Sequence, residues 1–326
     1  MIPLFPLEDG IVRIIGQRAA GDTNTNNPDL AEIQSYIEEM MPDDENKLSD
    51  PKWLAQFRCH CRSIDPYRQG RLFVAGDAAH IHSPAGGQGM NTGIQDAINL
   101  GGKLGMVLRG EEVDSFLDSY TEERHPVGEH LLKGTDRIFS FVASQNPIWL
   151  WVRNALLRYV APLMTRSRER RTQTFRWISE LAVKYRRSSL VGTSPEFEGP
   201  VKGGWRAPDG QMEDGDGNTS WLLDACSPTI HTVLLFSGLG GGRAEEDDLE
   251  RTLTKFRDSK KFGSVEVIRI HKSSAEKRVG YADVDGQLHE RYGMKTSGGF
   301  VVVRPDFYIE HIGSLVSLEL FLTPIE

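Results

Sequence analysis

The run from Arg71 to Ala97 constrains the fold more than any other part of the chain. Arg71-Leu-Phe-Val-Ala75 is a short apolar stretch that stops at Gly76-Asp77, and it reads as a buried strand ending at a loop. The loop that follows carries glycines at Gly86, Gly87 and Gly89. Beyond it, Met90, Ile94, Ala97, Ile98, Leu104 and Leu108 recur at helical spacing, which predicts one long helix over 90–108. A strand, a glycine-rich loop and a long helix in that order belong to an α/β sheet, where ligands bind at the carboxyl ends of the strands.

The residue types in this run suit a particular ligand chemistry. Asp77 at the strand end presents a carboxylate that can accept hydrogen bonds from a polyol. Gly76 lets a ligand approach the backbone closely. The first amides of the helix point outward without intrahelical partners, and the dipole is positive there, so this end favours an anion or a developing negative charge. The competing reading is a glycine-rich turn capped by a local side chain. The glycines, Asp77, Pro84 and the helix start all fall in one run, which favours the ligand.

Elsewhere the pattern is plainer. Residues 1–20 read as two strands around Glu8-Asp9-Gly10, and Pro28 to Met41 as a helix with Leu30, Ile33, Tyr36 and Ile37 on one face. Trp53 to Cys61 reads as a strand. A second helix is expected from about Asp114, broken or kinked near Pro126, with helical spacing continuing to about Tyr185. Arg166, Arg168, Arg170 and Arg171 read as a solvated helix face. Composition shifts near Ser188, and 188–220 is rich in Gly, Pro, Asp and Ser, a boundary signal. Beyond it, strands are expected at His231 to Phe236, Ser264 to Ile270 and Phe300 to Arg304, with a charged helix from about Ala244 to Arg257, which makes a small α/β unit.

Composition narrows the partners. The chain has 326 residues, which implies two or more compact units. A net charge of −8 argues against nucleic acid, whose phosphates want a basic surface. Three cysteines, Cys59, Cys61 and Cys226, read as reduced thiols of a cytoplasmic protein. The first residues show no basic region or long apolar stretch of a signal peptide. Ile148 to Met164 contains Arg153, Arg158 and Pro162, so a packed helix pair is expected there and not a membrane span. His80-x-His82 lacks a third ligand at useful spacing, so no metal is expected. Gly238-Leu-Gly240-Gly241-Gly242-Arg243 carries arginine where a dinucleotide fingerprint needs its last glycine, and reads as a surface loop.

Gly76-Asp77-Ala-Ala-His80 followed by Pro84-x-Gly86-Gly87-Gln88-Gly89-Met90-Asn91 resembles the second FAD fingerprint of single-component flavoprotein aromatic hydroxylases, the group of p-hydroxybenzoate hydroxylase, phenol 2-monooxygenase and polyketide hydroxylases. The resemblance extends back through Phe57-Arg58-x-His60-x-Arg62 and on through Asp118-Ser-Tyr120-x-x-Glu123-Arg124-x-Pro126. It implies that Asp77 holds the ribityl chain of FAD and that Gly86 to Gly89 pass close to the flavin and pyrophosphate. By the same resemblance the amides of Met90 and Asn91 face the flavin C2 carbonyl, and Pro84 lines the ring near the substrate. Gly76, Asp77, Pro84, Gly86, Gly87, Gln88, Gly89, Met90 and Asn91 are the candidate cofactor-binding residues, with no residue assigned as catalytic. Such enzymes reduce FAD with NADPH or NADH and use O2 to hydroxylate an aromatic ring. Gly299-Phe-Val-Val-Val-Arg304-Pro305-Asp306 resembles the end of the thioredoxin-like domain in phenol hydroxylase relatives. A working thioredoxin needs Cys-x-x-Cys. With Cys226 alone there, packing or dimer contacts are the implied role.

The expected fold is therefore α/β: a tail of the substrate-domain sheet over 1–70, the C-terminal part of a Rossmann-like FAD-binding domain plus helices over 71–187, and a thioredoxin-like domain over 188–326. No Gly-x-Gly-x-x-Gly unit precedes Gly76, and Asp9-Gly10 sits in a hairpin context. A truncated product, an incomplete gene model and one part of a split protein all fit this pattern. An exposed apolar face and weak FAD affinity are expected of this chain alone. Two functions stand side by side: a flavin-dependent aromatic monooxygenase, and a non-catalytic fragment acting as a partner-binding or dimerisation module.

Overall fold

The structure is a computed structural model that describes residues 4–16, 18, 23–41, 46–58, 60–82, 87–143, 147–160, 166–239, 246–258, 263–272 and 280–322. The fold is α/β. It opens with an antiparallel hairpin, β1 (Leu4–Pro6) and β2 (Val12–Ile14), joined at Glu8–Gly10. Helix α1 (Leu30–Met40) starts where Asp29 accepts a bond from the Glu32 amide, the side-chain cap that satisfies one orphan donor of a helix start. Ile37 is its buried anchor.

The strand expected at Trp53 to Cys61 does not form among the described residues of that segment, and Trp53 and Phe57 are exposed there. Pairing begins later, where β3 (Arg62–Ser63) meets β6 (His80–Ile81). Aromatic content alone does not make a strand without a partner segment to pair with. Arg71 to Ala75 also departs from the buried strand expected. Only Leu72–Phe73 (β5) is paired, in a tight antiparallel hairpin with β4 (Arg68–Gln69), and Leu72 is 75% exposed. The chain then runs on under a tyrosine: Val74 donates to the Tyr67 carbonyl, and the Tyr120 hydroxyl donates to Val74 O at 2.9 Å.

Helix α2 (Gly89–Leu108) has the expected span. Met90, Ile94 and Ile98, part of the apolar row that predicted it, are 74%, 51% and 48% exposed. The buried row is polar: Thr92, Asp96, Asn99 and Lys103, with Met106. Helix α3 (Ser119–Ala143) runs through Pro126 without the expected break. A proline removes one helical hydrogen bond, and the helix is packed on both sides of it. Tyr120 and Arg124 are buried before it, and Gly128 after it lies so close that a Cβ would stand 2.3 Å from the Tyr67 hydroxyl. Helices α4 (Pro147–Tyr159) and α5 (Arg168–Ile178) follow, and the basic residues of α5 are exposed.

The C-terminal part is built on an eight-stranded sheet. Its strands are β7 (Gly192–Thr193), β8 (Gln211–Glu213), β9 (Thr219–Trp221), β10 (His231–Phe236), β11 (Val265–His271), β12 (Tyr281–Ala282), β13 (Gly299–Val303) and β14 (Ile309–Ser314). They lie in the order β7-β14-β13-β10-β11-β12-β8-β9. Helix α6 (Leu222–Ala225) follows β9, α7 (Glu246–Asp258) joins β10 to β11, α8 (Gln287–Tyr292) precedes β13, and α9 (Leu318–Leu322) ends the described chain. The parallel pair β10–β11 and the antiparallel steps β10–β13 and β13–β14 give a βαβαββα unit with the topology of a thioredoxin fold. Strands β10 and β13 are buried on both faces, which is why Val233 to Phe236 and Phe300 to Val303 read as apolar runs. Leu234, Phe236, Val301 and Val303 pack one face with Leu288 and Tyr292. Val233, Leu235, Phe300 and Val302 pack the other with Leu249, Leu253 and Leu318.

A buried ionic cluster joins this sheet to α2 and α3. Arg304 forks both nitrogens onto Glu123, at 2.6 and 2.9 Å. Glu123 also accepts from Lys103 Nζ at 2.8 Å, from Asn99 Nδ2 at 2.7 Å and from Ser188 Oγ at 2.7 Å. Asp306 accepts from Asn99 at 2.9 Å and pairs with Arg304. Burial opposes the Glu123 charge, but Arg304 and Lys103 outweigh it and hold the carboxyl well below its usual range. Burial pushes the Lys103 ammonium down to about 8 against the pull of Glu123. Removing one partner of such a buried pair strands the other's charge. Arg304→Ala is expected to destabilise the protein by about 3–5 kcal/mol, read as a fall in the urea midpoint. An unchanged midpoint would show that the cluster carries no stability.

Candidate functional site

The turn Gly76–Ala78 is built by local conformation and held by a distant carboxylate. Ala75 is extended, Gly76 adopts φ +57°, and Ala79 donates back to Gly76 O at 2.8 Å. That positive φ suits glycine. It turns the chain so that the Asp77 carboxylate is exposed. The Gly76 amide donates to Asp96 Oδ2 of α2 at 3.0 Å. The same oxygen meets His80 Nε2 at 2.7 Å, and Oδ1 receives Arg124 Nε of α3 at 2.6 Å. Arg124 also donates to Thr92 O and to the Tyr185 hydroxyl, both at 3.2 Å. Burial works against the Asp96 charge; His80 and Arg124 outweigh it and hold the carboxyl below its usual range.

The turn lies directly on α2. A Cβ on Gly93 would stand 3.4 Å from the Gly76 Cα, in van der Waals contact with the turn. Gly93 is one helical turn beyond the helix start at Gly89. Gly87 has φ +65°, and the buried Gln88 side chain donates to Trp177 O at 2.9 Å. Gly89 sits against His82, where a Cβ would meet the ring at 2.8 Å. Among the described residues, the N-cap Gln88 makes no side-chain cap bond and the first turn holds no acidic residue. Its first amides therefore keep their hydrogen-bonding capacity and their positive potential. Met90 is exposed and Asn91 half-buried.

Gly76, Asp77, Gly87, Gln88, Gly89, Met90 and Asn91 are thus gathered at one end of α2, with the Gln88 side chain turned inward. Pro84 and Gly86 lie outside the described residues. His80 serves the Asp96 contact, and among the described residues no cluster of three or more His, Cys, Asp or Glu could hold a metal. Cys226 is buried, and burial pushes its thiol up to about 12. Sequence reasoning missed Asp96, Arg124 and Thr92 as parts of the site. The signal that could have found Thr92 and Asp96 is the polar row Thr92, Asp96, Asn99 and Lys103, which recurs at helical spacing beside an apolar one. Asp96→Ala leaves Arg124 buried without its carboxylate. It is expected to cost about 3–5 kcal/mol and to speed hydrogen exchange at the Gly76 amide; unchanged exchange there would mean that the turn holds itself.

Residues 3–135 match the FAD binding domain family, and residues 230–322 match the phenol hydroxylase C-terminal dimerisation domain family. Among curated proteins, the chain is 36% identical over 266 residues to a 6-methylpretetramide 4-monooxygenase of Streptomyces rimosus, covering 80% of this chain and 45% of that one. It is 31% identical over 318 residues to a pentachlorophenol 4-monooxygenase of Sphingobium chlorophenolicum, covering 96% and 55%. Among solved structures, an OxyS anhydrotetracycline hydroxylase from Streptomyces rimosus superposes with a TM-score of 0.64 at 26% identity, over 96% of this chain and 54% of that one. The chain spans about half the length of the curated relatives it matches. By these matches it joins a FAD binding domain segment to a phenol hydroxylase C-terminal dimerisation domain.

Proposed function

We propose that the chain supplies the ribityl and pyrimidine side of the FAD site of an NADPH- or NADH-dependent monooxygenase acting on a phenol-like or polyketide aromatic substrate. The observation that carries this reading is the fixed relation between the Asp77 turn and the open start of α2, set by Asp96 and the Gly76–Gly93 contact. A flavin presents polyol hydroxyls and an electron-rich carbonyl edge, and these two features answer them. Bound FAD supplies the redox chemistry with O2. In this reading Asp77 accepts hydrogen bonds from the ribityl hydroxyls. The Met90 and Asn91 amides face the C2 carbonyl and stabilise negative charge there. By the sequence resemblance, Gly86 to Gly89 would give the cofactor close access to the backbone, and Pro84 would line the ring near the substrate side. Residues 230–322 are the proposed site of self-association, supported by their family match. A reducing, cytoplasmic setting fits the free thiols of Cys61 and Cys226. No helix among the described residues is long and apolar enough to cross a membrane.

The exposed row Met90, Ile94 and Ile98 favours a second reading, a partner-binding module without catalysis. Flavin titration separates the two. The purified chain is expected to bind FAD weakly, detectable at equilibrium by flavin fluorescence. Asp77→Ala is expected to weaken binding about tenfold or more, since hydrogen bonds to a charged group contribute about 1.5–3 kcal/mol. A chain that binds no FAD at any concentration, or an Asp77→Ala variant that binds as well as the parent, would contradict the cofactor reading.

A further inference from the structure

Glu180 is a buried carboxyl that the cofactor reading leaves unused. It is 5% exposed, follows α5, and holds a left-handed backbone with φ 59°. Its side chain lies against the start of α2, where Oε1 is hydrogen-bonded with Thr92 Oγ1. Its Oε2 is buried without a hydrogen-bond partner among the described residues. The Thr92 hydroxyl also stands 3.0 Å from Gln88 O, the carbonyl that accepts the Thr92 amide.

Counting protons decides the state of the acid. A hydroxyl has one proton to donate. With Glu180 ionised, its carboxylate and the Gln88 carbonyl compete for that single proton, one contact sets lone pair against lone pair, and Oε2 carries half a charge into the interior. With Glu180 protonated, its O–H donates to Thr92 Oγ1, Thr92 donates to Gln88 O, and Oε2 is a neutral carbonyl. Only the neutral acid satisfies every contact, and an orphaned neutral oxygen costs far less than an orphaned charge. The charged and titratable groups facing it are Arg124 of α3, Asp96 of α2 and His80 of β6. Burial raises the Glu180 carboxyl above its usual range, against the pull of Thr92 and Arg124.

We propose that Glu180 holds a proton at neutral pH and is a positioning residue: it closes a relay from Glu180 through Thr92 to Gln88 that fixes the first turn of α2 without placing a negative charge beside it. The consequence for FAD rests on the cofactor reading above; the proton does not. Because the folded acid titrates above the unfolded one, the stability it contributes is full below the unfolded value and is lost as pH rises through the folded one. A glutamine at this position donates through its amide at every pH and keeps the relay.

The test uses the full chain. The infrared difference spectrum between parent and Glu180→Gln at neutral pH is expected to show the carbonyl band of a protonated carboxylic acid. Thr92→Val, which removes the bond and keeps the shape, is expected to shift that band. Protection of the Thr92 amide from hydrogen exchange is expected to fall several-fold with rising pH in the parent, to stay flat in Glu180→Gln, and to be low throughout in Glu180→Ala. FAD affinity, titrated on the same proteins, is expected to follow the same profiles. An absent acid band, or identical pH profiles for parent and Glu180→Gln, overturns the proposal. Should Glu180→Gln fail to fold, the band in the parent and its shift in Thr92→Val decide alone. A band and protection as expected, with FAD binding absent at every pH, support the Glu180 assignment and refute the cofactor reading.

Discussion

The Asp96 carboxylate sits where three elements meet, and the geometry of the candidate site depends on it. It takes the Gly76 amide, the His80 ring and the Arg124 guanidinium at once. A carboxylate buried this deeply is costly unless its oxygens are fully used. The three donors use both oxygens, and in doing so they tie the Asp77 turn, β6 and α3 to the second turn of α2. From Arg124 the contacts continue to the Tyr185 hydroxyl, and Tyr185 stacks on Tyr308 of the C-terminal part with ring centroids 4.1 Å apart.

A second route runs beside the first. Glu123 precedes Arg124 on α3 and meets Arg304 just past β13, so adjacent residues of one helix face the candidate site and the C-terminal part. The outcome is a polar seam along α2, from Thr92 through Asp96 and Asn99 to Lys103. Buried ion pairs contribute little net stability against apolar packing of the same volume. They do impose geometry, because each charge tolerates few arrangements. A site that must hold a carboxylate and a helix end in fixed relation gains from such a seam what an apolar interface would leave free to slide.

What the sequence revealed follows from where the information lies. Strands β10 and β13 were legible within a residue or two because both faces are buried, and β11 because Val265, Val267, Ile268 and Ile270 are β-branched, although Glu266 is exposed. The span of α2 was legible from its spacing, but its orientation was not: the apolar row Met90, Ile94 and Ile98 and the polar row Thr92, Asp96 and Asn99 are equally periodic, and only tertiary partners decide which faces inward. Trp53 to Cys61 misled because strand-forming residues need neighbours to pair with, and Arg71 to Ala75 because only Leu72–Phe73 pairs, in a hairpin that leaves Leu72 exposed. At the site, Gly76, Asp77 and the start of α2 were visible as a contiguous motif. Arg124 stood in view without a role, because its partners Asp96 and Tyr185 lie 28 and 61 residues away in sequence. Glu180 gave no local signal; its contact with Thr92 spans 88 residues.

The central claim is that Asp96 makes Asp77 competent by holding its turn against α2. A double-mutant cycle on FAD affinity, combining Asp77→Ala with Asp96→Asn in the full chain, tests it most directly. The account predicts strong coupling: once Asp96 is replaced, removing Asp77 costs little more, with a coupling energy on the order of 1 kcal/mol or above. Additive losses, with Asp77 contributing as much in the Asp96→Asn background as in the parent, would contradict it.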